Sequence, residues 1–177
     1  MTERLLDVIE FDIVPLTRAG VLNGNKVFGA ALLRKDDLSL VLAETNNEVE
    51  NPLWHGEMHL LKKFYELPER PASKDLIFLS THEPCSLCLS AITWAGFDNF
   101  SYFFTYEDSR DAFAIPHDLN ILAEVFDGGY HHENAFWRAT PLKKTADPAR
   151  VQRIHAIYEE LSATYQCSKT GNSIPLR

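Results

Sequence analysis

Apolar residues in this chain come in short runs that alternate with stretches of helical spacing, and that alternation leaves few folds open. Residues 27–33 (VFGAALL) and 38–43 (LSLVLA) are apolar runs parted by Arg34-Lys35-Asp36-Asp37, the pattern of a β-hairpin. Residues 75–80 (DLIFLS) and 99–105 (NFSYFFT) read as two further strands. The spacing predicts helices over 2–19, bent or ended by Pro15, over 53–66, and over 85–94, closed by Gly96. It predicts two more over 108–126, interrupted near Pro116, and 148–165, with 127–147 irregular. Helices placed between strands cover both faces of a sheet, and an opening hairpin makes that sheet mixed. The expected fold is α/β, a three-layer α/β/α sandwich around a central mixed sheet of about five strands.

Size and charge bound the function. A chain of 177 residues supplies one well-packed domain. The run 27–33, the longest, falls far short of the ~20 apolar residues that span a bilayer. Glu3, Asp7, Glu10 and Asp12 stand where a secretory signal carries a basic end, so a cytoplasmic location is expected. Net charge is −8, and no Lys or Arg occurs from 36 to 61 or from 75 to 109. Gripping a nucleic-acid backbone takes clustered cations. A site in those stretches is thus unsuited to nucleic acid or polyphosphate.

Three cysteines cannot pair completely, and Cys85 and Cys88 stand three apart, which in a cytoplasmic chain favours a metal or redox site. Two segments carry the chemistry, Trp54-His55-Gly56-Glu57 and Thr81-His82-Glu83-Pro84-Cys85-Ser86-Leu87-Cys88, both at predicted helix starts. One imidazole and two thiolates suit tetrahedral zinc, and three protein ligands leave the open position of a catalytic ion. Helix N-termini favour thiolate over thiol, and Pro84 fits a first helical turn. Glu57, two residues past His55, lies off the ligand line and can move a proton without binding the metal. His55 and His59 have metalloprotease spacing, but Gly56 stands where that motif needs its acid, so His59 reads as packed or capping.

Together these residues resemble the cytidine deaminase-like superfamily of zinc-dependent nucleobase and nucleoside deaminases, whose signature is His-x-Glu followed by Pro-Cys-x-x-Cys. Phe28-Gly29-Ala30 resembles the family's FGA strand, and Asn46-Asn47 with Asn51-Pro52 resembles the substrate loop of guanine and tRNA adenosine deaminases. The likeness spans residues 25 to 105. It implies one Zn2+ per chain on His55, Cys85 and Cys88, and hydrolytic attack by zinc hydroxide on an amino-bearing ring carbon. Glu57 is then the proton shuttle, and ammonia leaves.

It further implies substrate contacts from Asn46 (or Asn47), the Gly56 amide, Phe28 and Trp54. Chain length points to a single deaminase domain over 1–177, with 127–177 as a C-terminal extension outside the likeness, and a homodimer is what the resemblance implies. The family commonly carries Ala in place of Gly56. A free base, nucleoside or related amino-heterocycle fits the acidic charge, with a lean toward guanine-type purines. The alternatives are a tRNA adenosine deaminase-type editing enzyme and an inactive zinc-stabilised binding or assembly module.

Several residues read more simply. Glu83 is expected to hold backbone at its turn, and His82 has no expected metal role. His131-His132-Glu133 reads as a solvated loop and Cys167 as a lone buried or inert thiol.

Overall fold

A computed structural model describes residues 1–171 and 173–176 of the chain. Its sheet has five strands in the order β2-β1-β3-β4-β5: β1 (Gly29–Arg34), β2 (Leu40–Thr45), β3 (Leu76–His82), β4 (Asn99–Phe104) and β5 (Arg138–Pro141). β1 runs antiparallel to β2 and β3, whereas β3, β4 and β5 are parallel, so the sheet is mixed as the opening hairpin implies. β1 is buried at all positions but Arg34, and β3 at every position. Strands covered on both faces read as continuous apolar runs, which is why these two are plain in the sequence.

Two helical layers do the covering. On one face Leu5, Leu6, Ile9 and Ile13 pack with Ile154, Tyr158 and Leu161 of α7 (Pro148–Ser168) against Ala31, Leu33 and Leu79. On the other, Leu60 and Phe64 of α3 (Gly56–Glu66) and Leu89 and Ile92 of α4 (Ser86–Trp94) pack on Ala30, Leu32, Phe78 and Phe100. This is the expected three-layer sandwich.

The N-terminal helix is longer than its spacing predicts. α1 (Thr2–Asp7) passes through a π-helical stretch, Val8–Ile13, into α2 (Val14–Leu22). Pro15 follows directly on the π-helical stretch, a place where a helix can absorb the lost i→i−4 bond, so it does not end the helix. The stretch 108–126 divides into α5 (Tyr106–Asp111) and α6 (His117–Phe126), parted by left-handed Ala114 and by Pro116. The segment 127–147, expected to be irregular, contains β5. Its four residues, with Pro141 among them, carry too short a pattern to read as a strand. No helix is long and apolar enough to cross a membrane among the described residues.

Candidate metal centre and active site

The zinc motif residues are placed by two helix starts that aim at one point. β3 ends at His82, and Cys85 caps α4 with extended backbone, which puts Cys88 in the first turn. His55 caps α3 in the same way (φ −60°, ψ 163°), with Glu57 in that helix's first turn. His55 Nδ1 lies 3.4 Å from Cys85 Sγ and 3.8 Å from Cys88 Sγ, and the two sulfurs are 3.5 Å apart. Bond lengths of ~2.3 Å to sulfur and ~2.0 Å to nitrogen put tetrahedral edges at about 3.5–3.8 Å. The set fits one zinc ion per chain, and it is the metal-type cluster found among the described residues.

The electrostatics agree. Cys85 is held well below an ordinary thiol, first by its side-chain hydrogen bond with Cys88, against burial, and then by the His55 imidazole. Cys88, the proton holder, is pushed well above it by Cys85 and by burial. Burial pulls His55 down, but the Cys85 sulfur and the charges of Glu48 and Glu57 overcome this and raise it to about 9. Protons therefore occupy the places that a metal would take.

Glu57 stands beside the set without belonging to it. One carboxylate oxygen is 3.3 Å from Cys88 Sγ, and the other accepts a hydrogen bond from Ser80 Oγ at 2.7 Å. Burial and the Cys85 charge raise its pKa, against the Ser80 bond. A cavity of ≈ 10 Å³ adjoins the site, lined by Phe28, His55, Glu57, His82, Glu83, Cys85 and Asp118. That is the room one water molecule needs. Glu57 and Asp118 thus face a water-sized space next to the metal ligands.

The other expected site residues fall differently. Gly56 donates its amide to Asn46 Oδ1 at 2.5 Å, so these two meet each other. Asn46 is buried, whereas Asn47 turns outward to the exposed Glu50. Phe28 lines the cavity, but Trp54 does not; it stacks on His59 (5.8 Å between rings) beneath Lys62. His59 bonds the Thr45 carbonyl at 3.0 Å and faces Glu44, a packed histidine as read. Glu83 accepts from the Tyr106 amide and the Tyr130 hydroxyl, which ties the β3–α4 turn as expected. His132 approaches Tyr102 and Glu83 rather than forming a second metal set. Cys167, read as a buried or inert thiol, is exposed.

A glycine at position 56 has a steric reason: a Cβ there would stand 2.8 Å from Gly29 Cα and 3.0 Å from Gly29 N. The β1 backbone passes too close to the start of α3 for alanine.

Three features of the site escape sequence reasoning. Asp118, on α6, reaches the cavity, where burial and the Cys85 charge raise it to about 7. No motif surrounds it, only the Pro116 break before its helix. His82 is buried and neutral, depressed to about 3 by burial, with Nδ1 at 2.9 Å from Thr81 Oγ1 and Nε2 without a partner. Lys26 and Glu48 form a buried ion pair at 2.8 Å behind Asn46. The sequence signal for that pair is faint: Glu48 is one of three glutamates between residues 44 and 50, and Lys26 stands 22 residues away with no motif around it.

Solved structures share this fold. A guanine deaminase from Nitrosomonas europaea superposes with a TM-score of 0.60 at 21% identity, covering 85% of this chain and 81% of that one. A guanine deaminase from Bacillus subtilis gives a TM-score of 0.53 at 22% identity, covering 81% and 87%. No curated protein matches the sequence. Residues 15–104, half of the chain and the part that holds His55, Glu57, Cys85 and Cys88, match the model of the cytidine and deoxycytidylate deaminase zinc-binding region, and the chain belongs to that family.

Proposed function

We propose that the chain is a hydrolytic deaminase of a free nucleobase, nucleoside or related amino-heterocycle, with a guanine-type purine as the favoured substrate. His55, Cys85 and Cys88 are the residues that hold zinc, and the ion, when bound, supplies a Lewis acid that lowers the pKa of water. The observation that carries the reading is Glu57: a buried carboxyl at 3.3 Å from a ligand sulfur, outside the ligand set, oriented by Ser80. Its raised pKa suits a group that takes a proton from water and returns it to a leaving amine.

Charge supports a base over a phosphorylated substrate. The cavity is lined by three acids, Glu57, Glu83 and Asp118, and the buried lysine nearest them in the network, Lys26, is engaged by Glu48. Carboxyl groups pair with ring N–H and amino groups and repel phosphate. Two guanine deaminases with the same fold support the purine lean. We place the activity in a single domain, as a cytoplasmic homodimer, which sedimentation would show as one species of twice 20.1 kDa.

The test is ammonia release from guanine, adenine, cytosine, their nucleosides and aminotriazines, with zinc content measured in parallel, for wild type and Glu57→Ala. The expected result is one zinc per chain in both, with ammonia from the wild type alone. Equal rates in the two would remove Glu57 from the reaction. A panel without any active compound would favour a zinc-stabilised binding module.

A further inference from the structure

The structure assigns Glu48, braced by Lys26, as a positioning residue for the zinc ligand His55. The inference rests on the zinc set described above and adds residues outside the family signature. Glu48 and Lys26 have side chains only 1% and 6% exposed and pair at 2.8 Å. The second Glu48 oxygen accepts from Asn46 Nδ2 at 2.7 Å and from the Lys26 amide at 3.4 Å. The first lies 3.7 Å from His55 Nε2, on the side of the ring opposite the sulfurs.

Stability alone does not account for such a pair. Removing two charges from water costs several kcal/mol per ion, and well-packed apolar residues in the same space are often as stable or more so. Position gives the missing reason. A metal-bound histidine needs its lone pair on the nitrogen that faces the ion and its proton on the other. At 3.7 Å the Glu48 contact is longer than a hydrogen bond, so its effect on the ring is electrostatic. Of the ion pair it is the carboxylate oxygen that stands beside Nε2, and its negative charge, partly offset by Lys26, favours the proton there and leaves Nδ1 for the metal. The same carboxylate orients Asn46, whose Oδ1 accepts the Gly56 amide and so holds the first turn of α3, which begins at His55. Ring tautomer and ring placement thus trace to one buried acid.

Zinc affinity, measured by competition with a chromophoric chelator, tests this without any substrate. Glu48→Gln keeps the shape and removes the charge, and is expected to weaken zinc about 10–100-fold, the usual effect of losing an outer partner of a metal ligand. The double variant Lys26→Met with Glu48→Leu replaces the pair by apolar groups. Its metal-free thermal midpoint is expected to match or exceed that of the wild type, while its zinc affinity stays weakened. Wild-type zinc affinity in the double variant would overturn the assignment, and so would wild-type affinity in Glu48→Gln. A wild-type protein that binds no zinc would overturn the metal site itself, an outcome distinct from either.

Discussion

At the residue scale the chemistry depends on which groups hold protons. His55 is raised to about 9 and Cys88 lies above an ordinary thiol, while Cys85 is already held low. Zinc needs neutral imidazole and both thiolates, so binding displaces the protons of His55 and Cys88. Both groups are raised, so protons compete harder as pH falls below about 9. Apparent zinc affinity is expected to drop on the order of 10–100-fold per pH unit between pH 8 and pH 6, a factor of ten for each proton displaced. Chelator competition at several pH values checks this, and a flat profile would contradict the proton assignment. Glu57→Gln keeps the shape of the acid but cannot take a proton. It is expected to lower the rate of ammonia release by about 10²–10⁴ while zinc content stays unchanged, a split visible in steady-state assays.

Elements decide whether those residues meet. The start of α3 crosses β1 at Gly56 and Gly29, with only 2.8 Å between the place of an added Cβ and the opposing backbone. Overpacking against backbone costs ~1–3 kcal/mol, and alanine's helix advantage of up to ~1 kcal/mol is smaller at a first turn. Gly56→Ala is therefore expected to destabilise the metal-free protein by about 1 kcal/mol or more in denaturant unfolding, and a stabilised variant would refute the close approach.

α6 is the least buried of the helices that bear a cavity residue. Only Leu122 of its residues is buried, and left-handed Ala114 and Asp127 flank it. The space beside the ligands has room for about one water, and α6 is expected to yield when a heterocycle binds. Amides of α6 are expected to exchange faster than those of β3 and to slow when the most active base of the panel is bound. Unchanged exchange at saturation would place the movement elsewhere.

These elements also mark how far the sequence could be read. β1, β3 and the two motif helices were legible because buried strands are continuous apolar runs and because helix starts carry the ligands. His55, Cys85, Cys88 and Glu57 come together from spacing that few other chemistries require. β5, Asp118 and the Lys26–Glu48 pair were not legible. Their roles arise from long-range packing of a four-residue strand, one half-exposed helix and a two-residue ion pair, none of which has a period or a motif.

For the molecule as a whole, the parallel half of the sheet sets the site's location. The motif lies just beyond the carboxyl end of β3, next to β4, where α/β sheets commonly bind their ligands. Around it, a net charge of −8 and an acid-lined cavity oppose a polyanionic substrate. Transfer RNA at micromolar concentration is accordingly expected to leave ammonia release from a base unchanged at moderate salt, and strong competition would favour an editing enzyme. Zinc K-edge X-ray absorption on the purified wild type tests the central claim most directly. The account predicts two sulfurs at about 2.3 Å, one imidazole nitrogen at about 2.0 Å and one further light ligand; a shell of four sulfurs, or one with no sulfur, would contradict it.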